Sequence, residues 1–316
     1  MERETVVTVL MPAYNAGAYI AEAIDSVLNQ TMPHFELLIV NDGSTDDTED
    51  IIRSYRDERI AVVNQENRGV ANALNAGLLQ AKGKYIARFD ADDVCLSGRL
   101  QIQLDFLEQH QDCVVVGSDA IYISEHGEEL CYFHCSDHSN EQLKKHLLNN
   151  CPFTHSSVMY RRDEVLHCGG YNGHAHNMED HLLWMQLSAQ GKFYNIKEPL
   201  IKVRFNPSSV TIDEKWRGKK FRELKHSILL RRSITQEEGD ALQSIIQKQN
   251  THSIRKGSYY ALCGKKFLVN NHRPDKARAY LRKAIKASPL RWDNYALLAA
   301  SFFPEAFLKW LHQKIN

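Results

Sequence analysis

"KYIARFDADD" (84–93) decides the fold: an apolar, β-rich run ends abruptly in three carboxylates within four positions. Three earlier runs follow the same plan. "VVTVLMP" (6–12) leads into "PAYNAG" (12–17), "FELLIVND" (35–42) into "NDGSTDD" (41–47), and "RIAVVNQ" (59–65) into "QENRGVANALN" (65–75). The segments between them have helical periodicity. Ile20, Ala23, Ile24, Val27 and Leu28 recur at three- and four-residue spacing, and Ser44 or Thr45 is expected to cap a helix opening at "STDDTEDI". Strand, helix, strand at this spacing means parallel crossovers and an open sheet, whose ligands lie beyond the carboxyl ends of the strands. All four polar stretches fall at that edge.

Further on, "CVVVGSDAIYIS" (113–124) and "ELCYFHC" (129–135) read as longer, partly antiparallel strands. A helix (140–150), a strand "THSSVMYRR" (154–162) and a helix (177–191) follow, and the chain is helical from about 213. "PDKARAYLRKAIKASP" (274–289) resembles one unit of a helical-hairpin repeat, but a single copy makes no solenoid. The expected organisation is therefore an α/β domain over 1–212 and a basic α-helical region over 213–316.

At 316 residues and 43% hydrophobic, the chain is long enough to bury such a core. Its zero formal charge conceals an asymmetry. Residues 1–200 carry 15 Lys+Arg against 30 Asp+Glu, and 201–316 carry 24 against 9. The acidic part suits a metal site and the basic part an anionic surface. "MERETVVTVLMP" has no signal-peptide character, and seven scattered cysteines suit a reducing cytoplasm. The longest apolar stretch, "YALLAASFF" (295–303), falls well short of the roughly 20 residues that span a bilayer.

Neither GxGxxG nor a P-loop follows the first strand, so a dinucleotide-binding domain is not expected. Three carboxylates at a buried strand end raise one another's pKa and need compensation. A divalent cation with hard oxygen ligands, Mg²⁺ or Mn²⁺, supplies it. The competing reading is an acidic turn capping a helix near Ser97. Cys131, His134, Cys135 and His138 fall within eight residues, but a strand would point His134 away from Cys131 and Cys135, so a zinc site is not expected.

The stretches "VLMPAYNAGAYIAEAIDSVLNQT", "FELLIVNDGSTDDT", "NRGVANALNAGLLQAKGKYIARFDADD" and "MEDHLLWMQL" together resemble the successive signatures of family 2 glycosyltransferases, in order over about 5–210. The resemblance implies a GT-A fold, with a mixed, mostly parallel sheet flanked by helices. It also implies a nucleotide-sugar donor with uridine diphosphate as its carrier, and an inverting transfer in cell-surface polysaccharide assembly. Carried over residue by residue, it assigns the nucleotide sugar to Pro12, Ala13, Tyr14, Asn15, Asp42, Asn67, Arg68, Asp90, Ala91 and Asp92. The metal falls to Asp92 and Asp93.

Asp42 suits hydrogen bonds from a base or ribose, and Tyr14 offers a packing face. "MED" resembles the family's ED motif, giving Asp180 as general base and Glu179 as its helper. His155 is an acceptor candidate, and "GGYN" (169–172) a turn near it. Arg204, in "VRFNPSSV" (203–210), is a diphosphate candidate, although Val203 and Asn206 stand where relatives often have tyrosine and histidine.

The alternative is a GT-A domain that binds nucleotide sugar without turnover and uses its helical tail for interaction. The acceptor class is a glycan or polyprenyl-diphosphate-linked molecule. Aromatic and basic residues between Arg291 and Trp310 suit an anionic membrane surface. That places the protein in the cytoplasm, peripheral on the inner membrane face, and no nucleic-acid partner is expected.

Overall fold

The computed structural model describes residues 5–207, 218–249 and 252–304. The first half alternates as expected: β1 (Val7–Ala13), α1 (Ile20–Leu28), β2 (Phe35–Asp42), α2 (Thr48–Ser54), β3 (Ile60–Gln65), α3 (Val70–Gln80) and β4 (Tyr85–Arg88). β2, β1 and β4 are buried along almost their whole length, as strands covered on both faces must be. Ile20, Ala23, Ile24 and Val27 form the buried face of α1.

β5 (Val94–Cys95), α4 (Arg99–Gln109), β6 (Cys113–Ile123), β7 (Glu129–Phe133) and α5 (Asn140–His146) follow. A 3₁₀ turn (His155–Ser157) leads into β8 (Met159–Arg161), α6 (Arg162–His167), α7 (Glu179–Leu187) and β9 (Lys192–Arg204). Helices α8 (Lys219–Arg231), α9 (Gln236–Gln249), α10 (His252–Val269), α11 (Pro274–Ala287) and α12 (Trp292–Ala300) complete the described chain.

The strand order is β3-β2-β1-β4-β8-β6-β9-β5, with β7 paired to β6. β1 lies parallel between β2 and β4, in register Leu10↔Leu38 and Leu10↔Arg88. β3 is parallel to β2, so the loops after β1, β2, β3 and β4 emerge at one edge. β8 is antiparallel to β4, in register Ala87↔Met159. That pairing brings the 3₁₀ turn to the same edge, beside Asp90.

Several local expectations are corrected. Neither Ser44 nor Thr45 caps α2; its N-cap is Asp47, and the Thr48 N–H instead donates to Asp46 Oδ1 at 3.1 Å. The single strand over 154–162 is a 3₁₀ turn followed by three strand residues, because His155–Ser157 must bend around the end of β4. β9 was not foreseen, since Pro199 and the mixed polar sequence "KFYNIKEPLIKVR" obscure its alternation.

The described chain divides into two compact units, interleaved in sequence rather than cut once. The first holds the chain through Ala120, Phe133–Val203 and Glu223–Asp240; the second holds Ile121–Tyr132, the described part of Arg204–Arg222, and the chain from Ala241. The expected boundary at 212/213 lies outside the described residues. The second unit has its own core, in which Leu130 of the β6–β7 hairpin packs with Tyr259, Cys263 and Phe267 of α10 and Ala277 and Leu281 of α11.

One buried side chain ties the first unit together behind the acidic loop. Arg99, at the start of α4, is fully buried; its Nη2 donates to the carbonyls of Arg88 (2.8 Å) and Val158 (3.2 Å), and its Nε to Gln103 Oε1 (2.9 Å). Gln103 in turn donates to the carbonyls of Ser157 (2.7 Å) and Val116 (3.3 Å). Helix α4 is thus bonded to β4, β6 and the entry to β8. Arg99→Leu leaves these acceptors unsatisfied and should lower unfolding stability by about 3 kcal/mol, read as a fall in the urea midpoint. An unchanged midpoint would refute that role.

Candidate active site

The loops at the sheet edge are stitched to one another by side chains. After β1, Asn15 takes a left-handed conformation (φ 49°). Its N–H donates to Ser44 Oγ (3.1 Å), while its Oδ1 accepts from Thr45 N–H (2.8 Å). Ala16 N–H reaches Thr48 Oγ1 at 2.8 Å, and Gly17 N–H reaches Asp46 Oδ2 at 3.0 Å. Burial opposes ionisation of Asp46, but the hydrogen bonds from Thr48 and Gly17 outweigh it and hold the carboxyl below its usual range. Ser44 and Thr45, read as helix caps, therefore clasp the first loop to the second. Pro12 and Ala13 sit at the end of β1, opposite Val40 and Asn41, and Tyr14 stands half exposed beyond them.

Asp42, only 3% exposed, organises the third loop. Its Oδ1 accepts from Gln65 Nε2 (2.6 Å) and Arg68 N–H (2.9 Å), and its Oδ2 from Gly69 N–H (2.8 Å). The carboxylate expected to meet a base or ribose thus also fixes the Asn67–Arg68–Gly69 turn, leaving the Asn67 and Arg68 side chains exposed. Gly43 (φ +71°) permits this approach, because a Cβ there would lie 2.7 Å from the Asn67 backbone nitrogen.

Asp90, Asp92 and Asp93 each offer a carboxylate oxygen within 4.8 Å of the others, the only such group of potential metal ligands among the described residues. Their all-oxygen donor set fits Mg²⁺ or Mn²⁺. The three environments differ. Asp90 forms an ion pair with Arg88, and its N–H donates to Ser156 Oγ at 3.1 Å. Asp92 is partly exposed and Ala91 beside it is buried, while Asp93 is 2% exposed and lies in the fields of Arg88 and Arg99. Compensation of the cluster therefore comes partly from two buried guanidinium groups that sequence reading did not single out. Arg88 occupied a strand position where the apolar run masked it.

Glu179 and Asp180 open α7 as expected, and Arg88 and Asp90 both act electrostatically on Glu179. Burial, reinforced by the Asp180 charge, pushes Glu179 up to about 7. Burial also opposes the charge of Asp180, but His155, His181 and the hydrogen bond from His181 N–H (2.6 Å) hold its carboxyl below the usual range. Cys151 Sγ donates to Asp180 Oδ2 at 3.3 Å. His155 is driven down to about 3 by burial and Arg88, so it is neutral at ordinary pH.

The His155 Nε2 lies 3.0 Å from Tyr171 Oη. Tyr171 belongs to the "GGYN" turn, where Gly169 and Gly170 take positive φ and end α6. Asn75 of α3 holds that turn through both main-chain groups of Tyr171, at 2.7 and 2.8 Å. The acidic cluster, the ED pair and His155 therefore share one electrostatic environment centred on Arg88. Arg204 falls in the second unit instead, buried, with Nη1 donating to the carbonyls of Ser124 (3.3 Å) and Glu125 (3.4 Å) in the β6–β7 turn. His134 Nδ1 and Cys135 N–H both bond to Asp119, at 2.9 Å each.

A mixed sheet with polar loops gathered at the carboxyl edge of its parallel part, and an acidic strand end at its centre, defines the GT-A class. The structure superposes on S. aureus TarS (residues 1–349) solved with UDP-GlcNAc, with a TM-score of 0.56 and 19% identity over 94% of this chain and 91% of that one. The family model for glycosyl transferase family 2 matches residues 8–170, and the chain belongs to that family. A putative teichuronic acid biosynthesis glycosyltransferase, TuaG of Bacillus subtilis, is 34% identical over 220 residues, 68% of this chain and 84% of its own length. An uncharacterized glycosyltransferase of Rickettsia bellii is 32% identical over 212 residues, 66% of this chain but only 30% of the longer relative. Among the described residues, no helix is long and apolar enough to cross a membrane.

Two outcomes follow from the charges. Glu179 binds its proton more tightly in the folded chain than the ordinary 4.5 allows. Its contribution to stability is complete below about 4.5 and is lost as pH rises through about 7. Glu179→Gln should therefore melt above wild type at pH 8 and level with it near pH 4.5; parallel melting curves across that range would contradict the assignment. Arg88→Met should cost about 3 kcal/mol, and Mn²⁺ should raise its melting temperature more than it raises wild type's. Equal Mn²⁺ shifts would show that Arg88 does not compensate the cluster.

Proposed function

We propose that the protein is a metal-dependent, inverting glycosyltransferase that moves a sugar from a nucleoside diphosphate, UDP in the leading case, to a hydroxyl of a glycan or polyprenyl-linked acceptor. The observation that carries this reading is the shared environment of the Asp90–Asp93 cluster, Arg88 and the Glu179–Asp180 pair. In it, Asp180 is held ionised beside Glu179, which keeps its proton up to about 7. The names of the relatives support a role in bacterial cell-surface polysaccharide assembly, and the UDP-GlcNAc bound by TarS supports a uridine donor.

In this mechanism the loops after β1, β2 and β3 receive the nucleotide, with Tyr14 against it and the Asp42-ordered turn presenting Asn67 and Arg68. Asp92 and Asp93 would hold Mg²⁺ or Mn²⁺, with Asp90 and Ala91 lying along the donor. A bound cation neutralises negative charge on the departing diphosphate. Asp180 accepts the acceptor's hydroxyl proton as that oxygen bonds to the anomeric carbon. The bond from this carbon to the diphosphate breaks, its electron pair leaves with the nucleoside diphosphate, and a single displacement inverts the anomeric configuration. His155, neutral and anchored to Tyr171, offers the acceptor a hydrogen-bonding edge. The residues in this mechanism all belong to the first unit, and the basic C-terminal region holds the enzyme at the cytoplasmic face of an anionic membrane.

Nucleotide release from a panel of nucleotide sugars with Mn²⁺ tests the reading. Asp180→Asn should slow release roughly 100-fold or more, and Asp92→Asn or Asp93→Asn should abolish the Mn²⁺ dependence. Donor binding without release from any sugar would instead define a non-catalytic binding module. Undiminished Mn²⁺-dependent turnover in both aspartate variants would move the metal to other carboxylates.

A further inference from the structure

Helix α12 has two apolar faces, and only one of them is used in the core. Leu297 and Leu298 turn inward and pack against the second unit's core, with Asn294 and Ser301 buried beside them. On the opposite side Trp292, Tyr295, Ala296, Ala299 and Phe302 recur at three- and four-residue spacing, and all are exposed. Leu290, in the turn before the helix, is 90% exposed, Trp292 83% and Phe302 66%. The Trp292 and Tyr295 rings lie 5.9 Å apart. Exposed apolar patches of this kind mark docking surfaces.

The neighbouring charges say what docks. Arg278 of α11 lies over the Phe302 ring at 5.1 Å, Arg282 and Lys286 of the same helix are exposed, and the only acidic residue on α12, Asp293, is neutralised by Arg291 at 2.6 Å. Across residues 201–316, basic residues outnumber acidic ones 24 to 9. A two-fold contact between copies would bring these basic residues together, whereas an anionic bilayer complements them. Tryptophan, tyrosine and phenylalanine beside lysine and arginine are the side chains that seat a helix in the headgroup region.

We infer that the surface formed by Leu290, Trp292, Tyr295 and Phe302, with Arg278 over Phe302 and Arg282 and Lys286 exposed on the preceding helix, docks on an anionic lipid bilayer. Trp310, the far end of the segment flagged in the sequence, lies outside the described residues and the surface does not depend on it. The inference rests on the membrane-side reading above for its purpose, but the docking is testable without sugar transfer.

The full chain is sedimented with phosphatidylcholine vesicles, with and without phosphatidylglycerol. Wild type should partition onto the anionic vesicles, less so in high salt. Leu290→Gln/Trp292→Gln should weaken partition roughly tenfold or more, and Arg282→Glu/Lys286→Glu likewise, each with unchanged nucleotide release in solution. Equal partition of wild type and Leu290→Gln/Trp292→Gln overturns the proposal. So does a lowered melting temperature of that variant without vesicles, which would mean the face is already packed by this chain's own residues. A wild-type dimer that the variant converts to monomer would assign the face to a second copy and overturn it as well. Normal vesicle binding with no nucleotide release from any donor would reject the transferase reading and leave the docking intact.

Discussion

The site depends on the burial of Arg88's positive charge. A guanidinium only 4% exposed, at the last residue of β4, meets Asp90 directly and extends its field to Asp93, Glu179, His155 and Tyr171. An unpaired ion in that position would be costly, and so would an uncompensated trio of carboxylates. Each makes the other tolerable. Arg99 extends the same arrangement backwards, since its guanidinium bonds the Arg88 carbonyl and thereby holds the main chain from which the acidic loop departs.

This arrangement sorts the carboxylates by role. Asp42 and Asp46 are engaged by backbone N–H groups and shape the loops that carry them. Asp90 is engaged by an arginine, and Asp93 lies deep between two. Asp92 is the more accessible neighbour in that cluster. Glu179 and Asp180 are adjacent in sequence but are driven in opposite directions, because only Asp180 gains the histidines and the His181 N–H while Glu179 sits against its charge. Paired carboxylates whose environments separate them this way can divide proton-holding from proton-accepting work.

Much of this was legible in the sequence, for physical reasons. Parallel strands buried on both faces read as continuous apolar runs, so β1, β2 and β4 and the polar loops after them were found within a residue or two. Chain order then placed "PAYNAG", "NDGS", "NRG" and "DADD" at one edge without any distance being known. Side-chain partners were less legible. Asp42 serving its own next loop, Ser44 and Thr45 clasping Asn15, and Tyr171 reaching His155 depend on neighbours separated by between 16 and 30 residues. Arg88 was visible in the stretch that decided the fold, yet a single charge inside a strand carries no periodic signal. β9 escaped because its alternation is broken by charge and by Pro199.

The interleaving of the two units has a consequence for how the chain is made. The β6–β7 hairpin emerges from the ribosome early, but Leu130 finds its core partners only when α10 and α11 have been synthesised, more than 120 residues later. Until then the hairpin is an apolar surface waiting for its cover, and the long loop closure must be paid before that core exists. The helical region is thus no detachable appendage. Removing it would strip an element in the middle of the chain of its packing, so a shortened protein would be a differently folded object, not the same domain without its tail.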